Sequence, residues 1–321
     1  MNKSIILAYH SIMPSSDDEN RCGYVSNSQS IPSDMFEAQM DWLNDRAQFV
    51  TLDEIIGNES DDGLKVCVTF DDGYLDNISI GIDIFEKYNI PITWFVCPKF
   101  IKDRNHIPWW DLVSFICDKK KKIGYLKVGN MSVDLSKNIS QFRRIARQKF
   151  MADRKTRDKF YRELRAACEG SVEVPMNAFA DSSTVHAATN SEWVELGAHT
   201  ATHVNAASES QDSFAEEVHL GCEQLKKWSN QSVDWFAYPY GGGDHISAAS
   251  QDIVRQHGFT GAVTTMPGYV HERNDNFTIP RWTVPTSWGI TKFKSSIYGL
   301  HATRNLGKIK KKISNLFWFD G

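Results

Sequence analysis

The sequence predicts an α/β fold in which helices pack outside a parallel β-sheet. Short apolar runs rich in β-branched residues alternate with segments of helical periodicity along most of the chain. This strand-then-helix order is typical of parallel sheets covered by helices. The chain has 321 residues, a length that fits either two domains or one large barrel with insertions.

The predicted elements follow one another in a regular order. The predicted strands cover residues 4–12, 48–52, 66–70, 92–97, 195–199, 234–240, 261–265 and 279–284. The predicted helices begin at residue 33 or cover residues 75–88, 213–228 and 246–257. In such folds the chemistry collects at the carboxyl ends of the strands, so residues that follow strands are the first candidates for a site.

Two regions depart from this order. Residues 100–190 hold a helix starting at Trp109, a β ribbon over 125–135 and a charged helical stretch over 140–168, and we expect an insertion in one barrel that spans 1–321. Its basic residues fit a solvated face, or a rim that binds phosphate or an anionic membrane surface. Residues 305–321 form a basic amphipathic tail, which fits either peripheral membrane contact or a helix packed on the barrel.

Composition excludes several classes of protein. The chain is 41% hydrophobic and 24% charged, with a net charge of -4, which gives no sign of a nucleic-acid partner. No signal-peptide core or membrane span is present in the sequence, which predicts a cytoplasmic location. The cysteines lack the close spacing of a zinc site and are expected to be free thiols: Cys22, Cys67, Cys97, Cys117, Cys168 and Cys222.

Two adjacent carboxylates mark the end of the strand in Val66-Cys67-Val68-Thr69-Phe70-Asp71-Asp72-Gly73. Acids at the end of a buried strand are costly to desolvate unless a cation or hydrogen-bond donors receive them. Alternatively, Asp71 and Asp72 cap the next helix, where Asp is common. The octapeptide by itself leaves both interpretations open.

A pair of histidines follows another predicted strand, in His199-Thr200-Ala201-Thr202-His203. Histidines four residues apart share a face in a helix or tight turn, a common arrangement of metal ligands. A zinc-protease helix needs Glu directly after the first His, and Thr200 excludes it. One carboxylate with two imidazoles would make a three-ligand site with open positions, beside which a second carboxylate could accept a proton.

These motifs together resemble those of the polysaccharide deacetylase family (carbohydrate esterase family 4, the NodB-homology domain). The stretch Thr69-Phe70-Asp71-Asp72-Gly73 and the stretch His199-Thr200-Ala201-Thr202-His203 resemble its first two motifs, in the family's order. Phe236-Ala237-Tyr238-Pro239-Tyr240-Gly241 resembles the third. The resemblance covers most of the chain outside residues 100–190. It implies a distorted (β/α)7 barrel and a metal-dependent hydrolase that removes acetyl groups from N-acetylated sugars.

The resemblance implies a role for each matching residue. Asp71 would be the general base, and Asp72, His199 and His203 would hold a divalent metal. Zinc is the first choice, with cobalt, nickel, iron and manganese as the other candidates. Tyr240 would stabilise the oxyanion through its backbone N–H.

Two positions depart from the family pattern. Ala237 stands where many members have an Arg that orients the base. The segment Ile279-Pro280-Arg281-Trp282 resembles the Arg-containing segment of a family branch that lacks an Arg at the position of Ala237. We expect Arg281 to supply the charge near Asp71. The late His that protonates the leaving amine has only His301 as a candidate, in a poorly matching context. His10, in Leu7-Ala8-Tyr9-His10, resembles an N-terminal Tyr-His of one branch and is preferred as general acid.

The sequence therefore predicts a carbohydrate N-deacetylase whose partner is an N-acetylated sugar or a glycan precursor. Two other hypotheses remain: hydrolysis of another C–N amide, such as a formamide or a cyclic ureide, and a catalytically silent carbohydrate-binding module. Intact Asp71, Asp72, His199 and His203 argue against the silent module, which has no need of a base beside a metal site.

Overall fold

The structure is a computed structural model that describes residues 3–15, 29–57, 63–103, 106–168, 178–271 and 274–302. The side chains of residues 3 and 298–302 lie outside that description, as does the predicted tail at 305–321. The strands in the described ranges are β1 (Lys3–Tyr9), β2 (Ser11–Met13), β3 (Ser30–Pro32), β4 (Ala47–Phe49), β5 (Leu64–Phe70), β6 (Ile92–Val96), β7 (Tyr125–Val128), β8 (Met131–Asp134), β9 (Val194–Ala198), β10 (Trp235–Ala237), β11 (Gly261–Val263) and β12 (Trp282–Thr283).

The helices lie between these strands. They are α1 (Ser33–Asn44), α2 (Leu52–Gly57), α3 (Asp76–Ser79), α4 (Gly81–Tyr88), α5 (Pro98–Lys102), α6 (Trp109–Asp118), α7 (Lys120–Ile123), α8 (Ile139–Phe150), α9 (Arg154–Ala167), α10 (Ser182–Ala188), α11 (Gln211–Trp228), α12 (Ala248–His257) and α13 (Ile290–Ala302), with 3-10 turns at Ala206–Ser208 and Gly243–His245.

The main sheet is parallel and curls into a barrel. Its strand order is β11-β10-β9-β6-β5-β1-β12, and β4 pairs in addition with the start of β5. Ile279 bridges to Val263 of β11, and β12 directly after it pairs with Leu7 and Ala8 of β1. The chain segment 279–284 therefore bonds to both edges of the sheet. The predicted distorted (β/α) barrel of seven strands is confirmed.

Strand β5 lies in the middle of the sheet and is covered on both faces. Six of its seven residues are buried, and it pairs with β1 on one side and with β6 and β4 on the other. A strand buried on both faces must be apolar throughout, which explains the absence of alternation in its sequence. The largest core cluster packs strand residues such as Val68 and Leu196 against helix residues such as Phe36 and Val218.

Several predicted elements have different bounds in the structure. The strand predicted over 4–12 divides into β1 and β2, which belong to different sheets, and those predicted over 261–265 and 279–284 are shorter. The predicted helix over 75–88 divides into α3 and α4 at Ile80, whose φ of -118° departs from the helical value of about -63°. The predicted strand over 48–52 ends at Phe49. Thr51 and Glu54 then form a reciprocal capping box that starts α2, with the Thr51 N–H donating to Glu54 Oε2 at 2.9 Å. The strand predicted over 234–240 ends at Ala237, because the chain then turns.

A second core belongs to the region 100–190. The predicted ribbon is confirmed as antiparallel β7–β8, and the charged stretch forms α8 and α9. Their apolar faces, with Phe142, Phe150 and Leu164, pack against α6. Tyr74 and Tyr240 of the barrel join the same cluster, so this core is continuous with the carboxyl ends of the strands.

The cysteines and the helix lengths bear on two further predictions. The five cysteines in the described ranges are free and buried, as predicted, and Cys22 lies outside those ranges. Within the part of the chain that the structure describes, no helix combines the length and the apolar character needed to cross a bilayer. The cytoplasmic location remains a prediction.

The stability of the fold should depend on the protonation of Asp76. Burial raises the pKa of Asp76 to about 7, although its carboxylate accepts hydrogen bonds from Ser11 and Ile12. The folded state then binds this proton more tightly than the unfolded state, in which the pKa is about 3.9. Stability should therefore fall as the pH rises through this window and level off above pH 7.

Urea unfolding of wild type and of Asp76→Asn between about pH 5 and pH 8 tests this. We expect the unfolding free energy of wild type to fall by roughly 2–3 kcal/mol relative to that of the variant, which cannot ionise at this position. Parallel pH profiles of the two proteins would contradict the expectation.

Candidate metal centre

The barrel brings the predicted site residues to one edge. Asp71 and Asp72 directly follow β5, His199 directly follows β9, and His10 directly follows β1. Tyr9 and Phe70 are register partners, and the Asp71 N–H donates to the Tyr9 carbonyl at 3.0 Å. Parallel strands have their carboxyl ends at the same edge, so these residues meet there.

Asp72, His199 and His203 form a compact, buried cluster. Asp72 Oδ1 lies 3.5 Å from His199 Nε2 and 3.3 Å from His203 Nε2. Candidate ligand atoms of the three residues lie within 4.8 Å of one another. All three side chains are at least nine-tenths buried, so water does not solvate the carboxylate.

The hydrogen bonds of His199 indicate what the cluster receives. Its Nδ1 lies 2.8 Å from the Ala237 carbonyl oxygen, which can only accept, so Nδ1 carries a proton and Nε2 is the nitrogen left to bind a cation. Burial is the main cause that lowers the pKa of His203 and favours its neutral form. Asp72 Oδ1 is buried and has no hydrogen-bond donor among the described residues. Acceptor atoms that converge in this way fit a divalent cation.

The backbone of the site is strained where its functional groups are placed. Asp72, Thr200, His203 and Tyr240 have φ values of 78°, 57°, 58° and 65°, in the left-handed region that disfavours side chains. Such conformations cost of order 1–3 kcal/mol each and persist only where the surroundings hold them. The histidine pair therefore lies on a tight turn, the second of the two conformations that the spacing allowed.

Asp71 is separately held by Arg281. The guanidinium donates to both carboxylate oxygens, at 2.8 and 2.7 Å, and also to Thr69 Oγ1 at 2.9 Å and to the Thr264 carbonyl at 2.9 Å. Burial by itself would raise the pKa of Asp71, but Arg281, followed by His199 and His10, lowers it below the ordinary value. The carboxylate is therefore ionised, fixed in orientation and available as a proton acceptor.

Arg281 thus lies where the expected charge is needed, since the side chain of Ala237 cannot provide it. The third motif contributes a backbone carbonyl here, which orients His199. Arg281 is fully buried, and its guanidinium reaches Asp71 from the segment that closes the barrel. The catalytic role of this contact remains a prediction.

Tyr240 and His10 are held by different neighbours. The phenol oxygen of Tyr240 accepts a hydrogen bond from Trp109 Nε1 at 3.0 Å, and its ring lies 4.7 Å from that of His203. The phenol is thus engaged with α6. His10 is half-buried, its carbonyl accepts from Asn77 Nδ2 at 2.7 Å, and it is near enough to contribute to the lowered pKa of Asp71. The side chain of His301 lies outside the described residues.

Two residues that no sequence motif indicated support the turn between His199 and His203. Glu217 accepts from the Thr202 N–H at 2.8 Å, and Arg157 donates to the Thr202 carbonyl at 3.2 Å. Both residues belong to charged helices, where a buried contact and a solvated face have the same sequence pattern. The only available signal was the proximity in sequence of Glu217 to the turn.

The parallel barrel carries Asp72, His199 and His203 at its strand ends, with ligand atoms close enough together to hold a metal ion. The family model described as polysaccharide deacetylase matches residues 58–262, which is more than half of the chain. The chain belongs to the polysaccharide deacetylase family.

Individual relatives agree with this assignment. YxkH of Bacillus subtilis (strain 168), provisionally described as a polysaccharide deacetylase, is 33% identical over 107 residues, which are 32% of this chain and 34% of YxkH. The match thus spans about a third of that relative. Among solved structures, a de-N-acetylase from Aggregatibacter actinomycetemcomitans has a TM-score of 0.58 at 15% identity, covering 92% of this chain and 99% of its own.

The deacetylase PplD of Streptococcus pyogenes, solved in complex with acetate, is similar in the same way. Its TM-score is 0.54 at 17% identity, covering 91% of this chain and 97% of its own. At these identities the solved structures support the shared fold.

The Asp71–Arg281 pair should be strongly coupled in its effect on stability. Arg281→Met leaves a buried carboxylate without its counter-charge and should lower the free energy of unfolding by about 3–5 kcal/mol. Asp71→Asn in the same chain removes the charge that Arg281 neutralised. The double variant should therefore lose clearly less than the sum of the two single losses in urea unfolding. Additive losses would show that the pair is not coupled.

Proposed function

We propose that this chain is a divalent-metal-dependent N-deacetylase that hydrolyses the acetamido group of an amino sugar. One observation carries the proposal: an ionised, oriented carboxylate, Asp71, lies directly beside a buried cluster of acceptor atoms. The family supports a deacetylase. The candidate ligands support metal dependence, since imidazole nitrogens and a carboxylate oxygen that accepts no hydrogen bond bind a cation well.

Asp72, His199 and His203 would hold the metal through one carboxylate oxygen and two imidazole nitrogens. This set leaves coordination positions open and suits zinc, with cobalt, nickel, iron and manganese as further candidates. When bound, the ion would supply a Lewis acid that polarises an amide carbonyl and acidifies water. The Ala237 carbonyl fixes the tautomer that His199 needs for this role.

Asp71 would act as the general base. Its two oxygens are held by Arg281 at 2.8 and 2.7 Å, which fixes the carboxylate plane next to the cluster. The bidentate pair also keeps the carboxylate ionised at neutral pH, as a base must be before it accepts a proton from water. Arg281 thereby replaces the arginine that the third motif lacks at Ala237.

Two further groups would complete the reaction. The backbone N–H of Tyr240 would donate to the oxygen that becomes negative as the amide carbon turns tetrahedral. The strained φ of 65° at Tyr240 sets the direction of that peptide group. His10, at the end of β1 beside the Asp71 backbone, would protonate the departing amine.

The proposed substrate is an N-acetylated sugar in a polysaccharide or a glycan precursor. The family description supports an acetylated polysaccharide. Two of the similar solved structures, a de-N-acetylase and a deacetylase in complex with acetate, support removal of an acetyl group. A cytoplasmic location, which favours a precursor over a finished wall polymer, is part of this proposal.

Acetate release from N-acetylated sugar oligomers by the zinc-loaded protein tests the proposal. Asp71→Asn should bind the metal as wild type does, yet lose activity by about 10²–10⁴-fold, because the neutral amide cannot accept the proton. Asp72→Asn should instead lose metal affinity. A metal-loaded wild type that releases no acetate from such sugars, but hydrolyses a formamide or a cyclic ureide, would replace the proposed reaction.

The role of His10 is tested separately. His10→Gln should bind metal normally and lower kcat by about 10²–10⁴-fold on substrates with a poor leaving amine. An aryl amide whose leaving group needs little protonation should be affected much less. Equal losses on both substrates, or full activity of the variant, would remove His10 from the role of general acid.

A further inference from the structure

Two charged side chains, Arg157 of α9 and Glu217 of α11, contact the turn that carries His199 and His203. Helix α9 lies in the charged stretch over 140–168, whose basic residues fit an ordinary solvated face. The side chain of Arg157, by contrast, is only 11% exposed. Its Nε donates to Asp158 Oδ1 at 3.0 Å, and its two terminal nitrogens donate to the turn.

Arg157 binds both carbonyls that flank the Cα atom of His203. Its Nη1 donates to the Thr202 carbonyl at 3.2 Å and to the His203 carbonyl at 3.4 Å, and its Nη2 donates to Thr202 Oγ1 at 3.1 Å. Convergence of two successive carbonyls on one donor constrains the φ and ψ of the residue between them. That residue, His203, has the strained φ of 58°.

Glu217 of α11 makes a second set of hydrogen bonds to the turn. Its carboxylate accepts from the Thr202 N–H and Oγ1, both at 2.8 Å, and from Arg154 Nη1 of α9 at 3.2 Å. The side chain of Glu217 is 1% exposed, so the charges of Glu217 and Arg154 partly depend on each other. Arg154 and Arg157 are both engaged by the turn or by acids around it, which argues against a free anion-binding rim at this place.

Ring packing and hydrogen bonds hold different parts of His203. Its ring lies 4.8 Å from that of Trp110 and 4.7 Å from that of Tyr240. A cavity of about 450 Å³ borders the turn, and Arg157, Thr202 and His203 are among its walls. Main-chain atoms beside a cavity have fewer close contacts to hold them, and there the carbonyls of the turn are held by Arg157.

We propose that Arg157 is a positioning residue for the metal ligand His203, and that the region 100–190 thereby contributes to the metal centre. Arg154 and Glu217 support the same turn from its N–H side. This inference rests on the proposed function, since it requires that the cluster bind a metal. It assigns a role to a region that has no counterpart in the three sequence motifs.

The test is the zinc affinity of the purified chain, measured by competition with a chromogenic chelator. Arg157→Ala should weaken zinc binding by about 10–100-fold, as loss of support around a ligand typically does. Lys159→Ala is the matched control, because it removes one positive charge from the same helix. Its side chain is 72% exposed, and its ammonium nitrogen lies 3.9 Å from Glu163 Oε1. The control should bind zinc as wild type does.

Thermal unfolding with and without zinc separates positioning from general stability. The stabilisation that zinc confers should shrink in Arg157→Ala, because that shift follows the affinity of the folded state. Arg157→Lys keeps the charge but lacks the planar fork, and should recover only part of the affinity. An affinity within twofold of wild type in Arg157→Ala would overturn the proposal, and so would metal-free Arg157→Ala that fails to fold. A wild type that binds no zinc would overturn the proposed function as well.

Discussion

The structure depends on the cost of burying two adjacent carboxylates at the end of β5. Asp71 and Asp72 are each 2% exposed, so neither can rely on water for its charge. The barrel satisfies each in a different way. Arg281 neutralises Asp71 with a bidentate ion pair, whereas Asp72 Oδ1 faces two imidazole nitrogens and lacks a hydrogen-bond donor among the described residues. The first is a complete interaction within the protein, and the proposed divalent cation would complete the second.

The rest of the site follows from this division. Asp72 has a φ of 78°, which turns its side chain away from that of its neighbour and toward the histidines. His199 is then oriented by the Ala237 carbonyl, and His203 by a strained turn held from α9 and α11. The closure of the barrel by residues 279–284 delivers Arg281 to Asp71. Chemistry at this edge is thus linked to the contact that completes the fold.

Much of this could be predicted from sequence because the signals were local. An apolar run that ends in two acids, and two histidines at ligand spacing, are readable within a few residues. Arg281 was expected near Asp71 from a short segment that resembles one branch of the family, although the two are 210 positions apart. The start of α2 was missed, although Thr51 and Glu54 have the spacing of a capping box. The break at Ile80 had no comparable signal.

The support of the histidine turn was not predictable, for a physical reason. Arg157 occurs among many basic residues on amphipathic helices, and helical periodicity does not tell which of them meets another element. Only the packing of the second core places α9 over the turn. The contact of Ala237 with His199 was not predictable either, because a backbone carbonyl is common to every residue type and leaves no signal in the sequence.

The central claim is that Asp72, His199 and His203 are the ligands of one divalent ion. X-ray absorption spectroscopy of the zinc-loaded protein at one equivalent tests it most directly. We expect two imidazole nitrogens and an otherwise oxygen shell at about 2.0–2.2 Å. Sulfur at about 2.3 Å, a third imidazole or the absence of stoichiometric binding would contradict it.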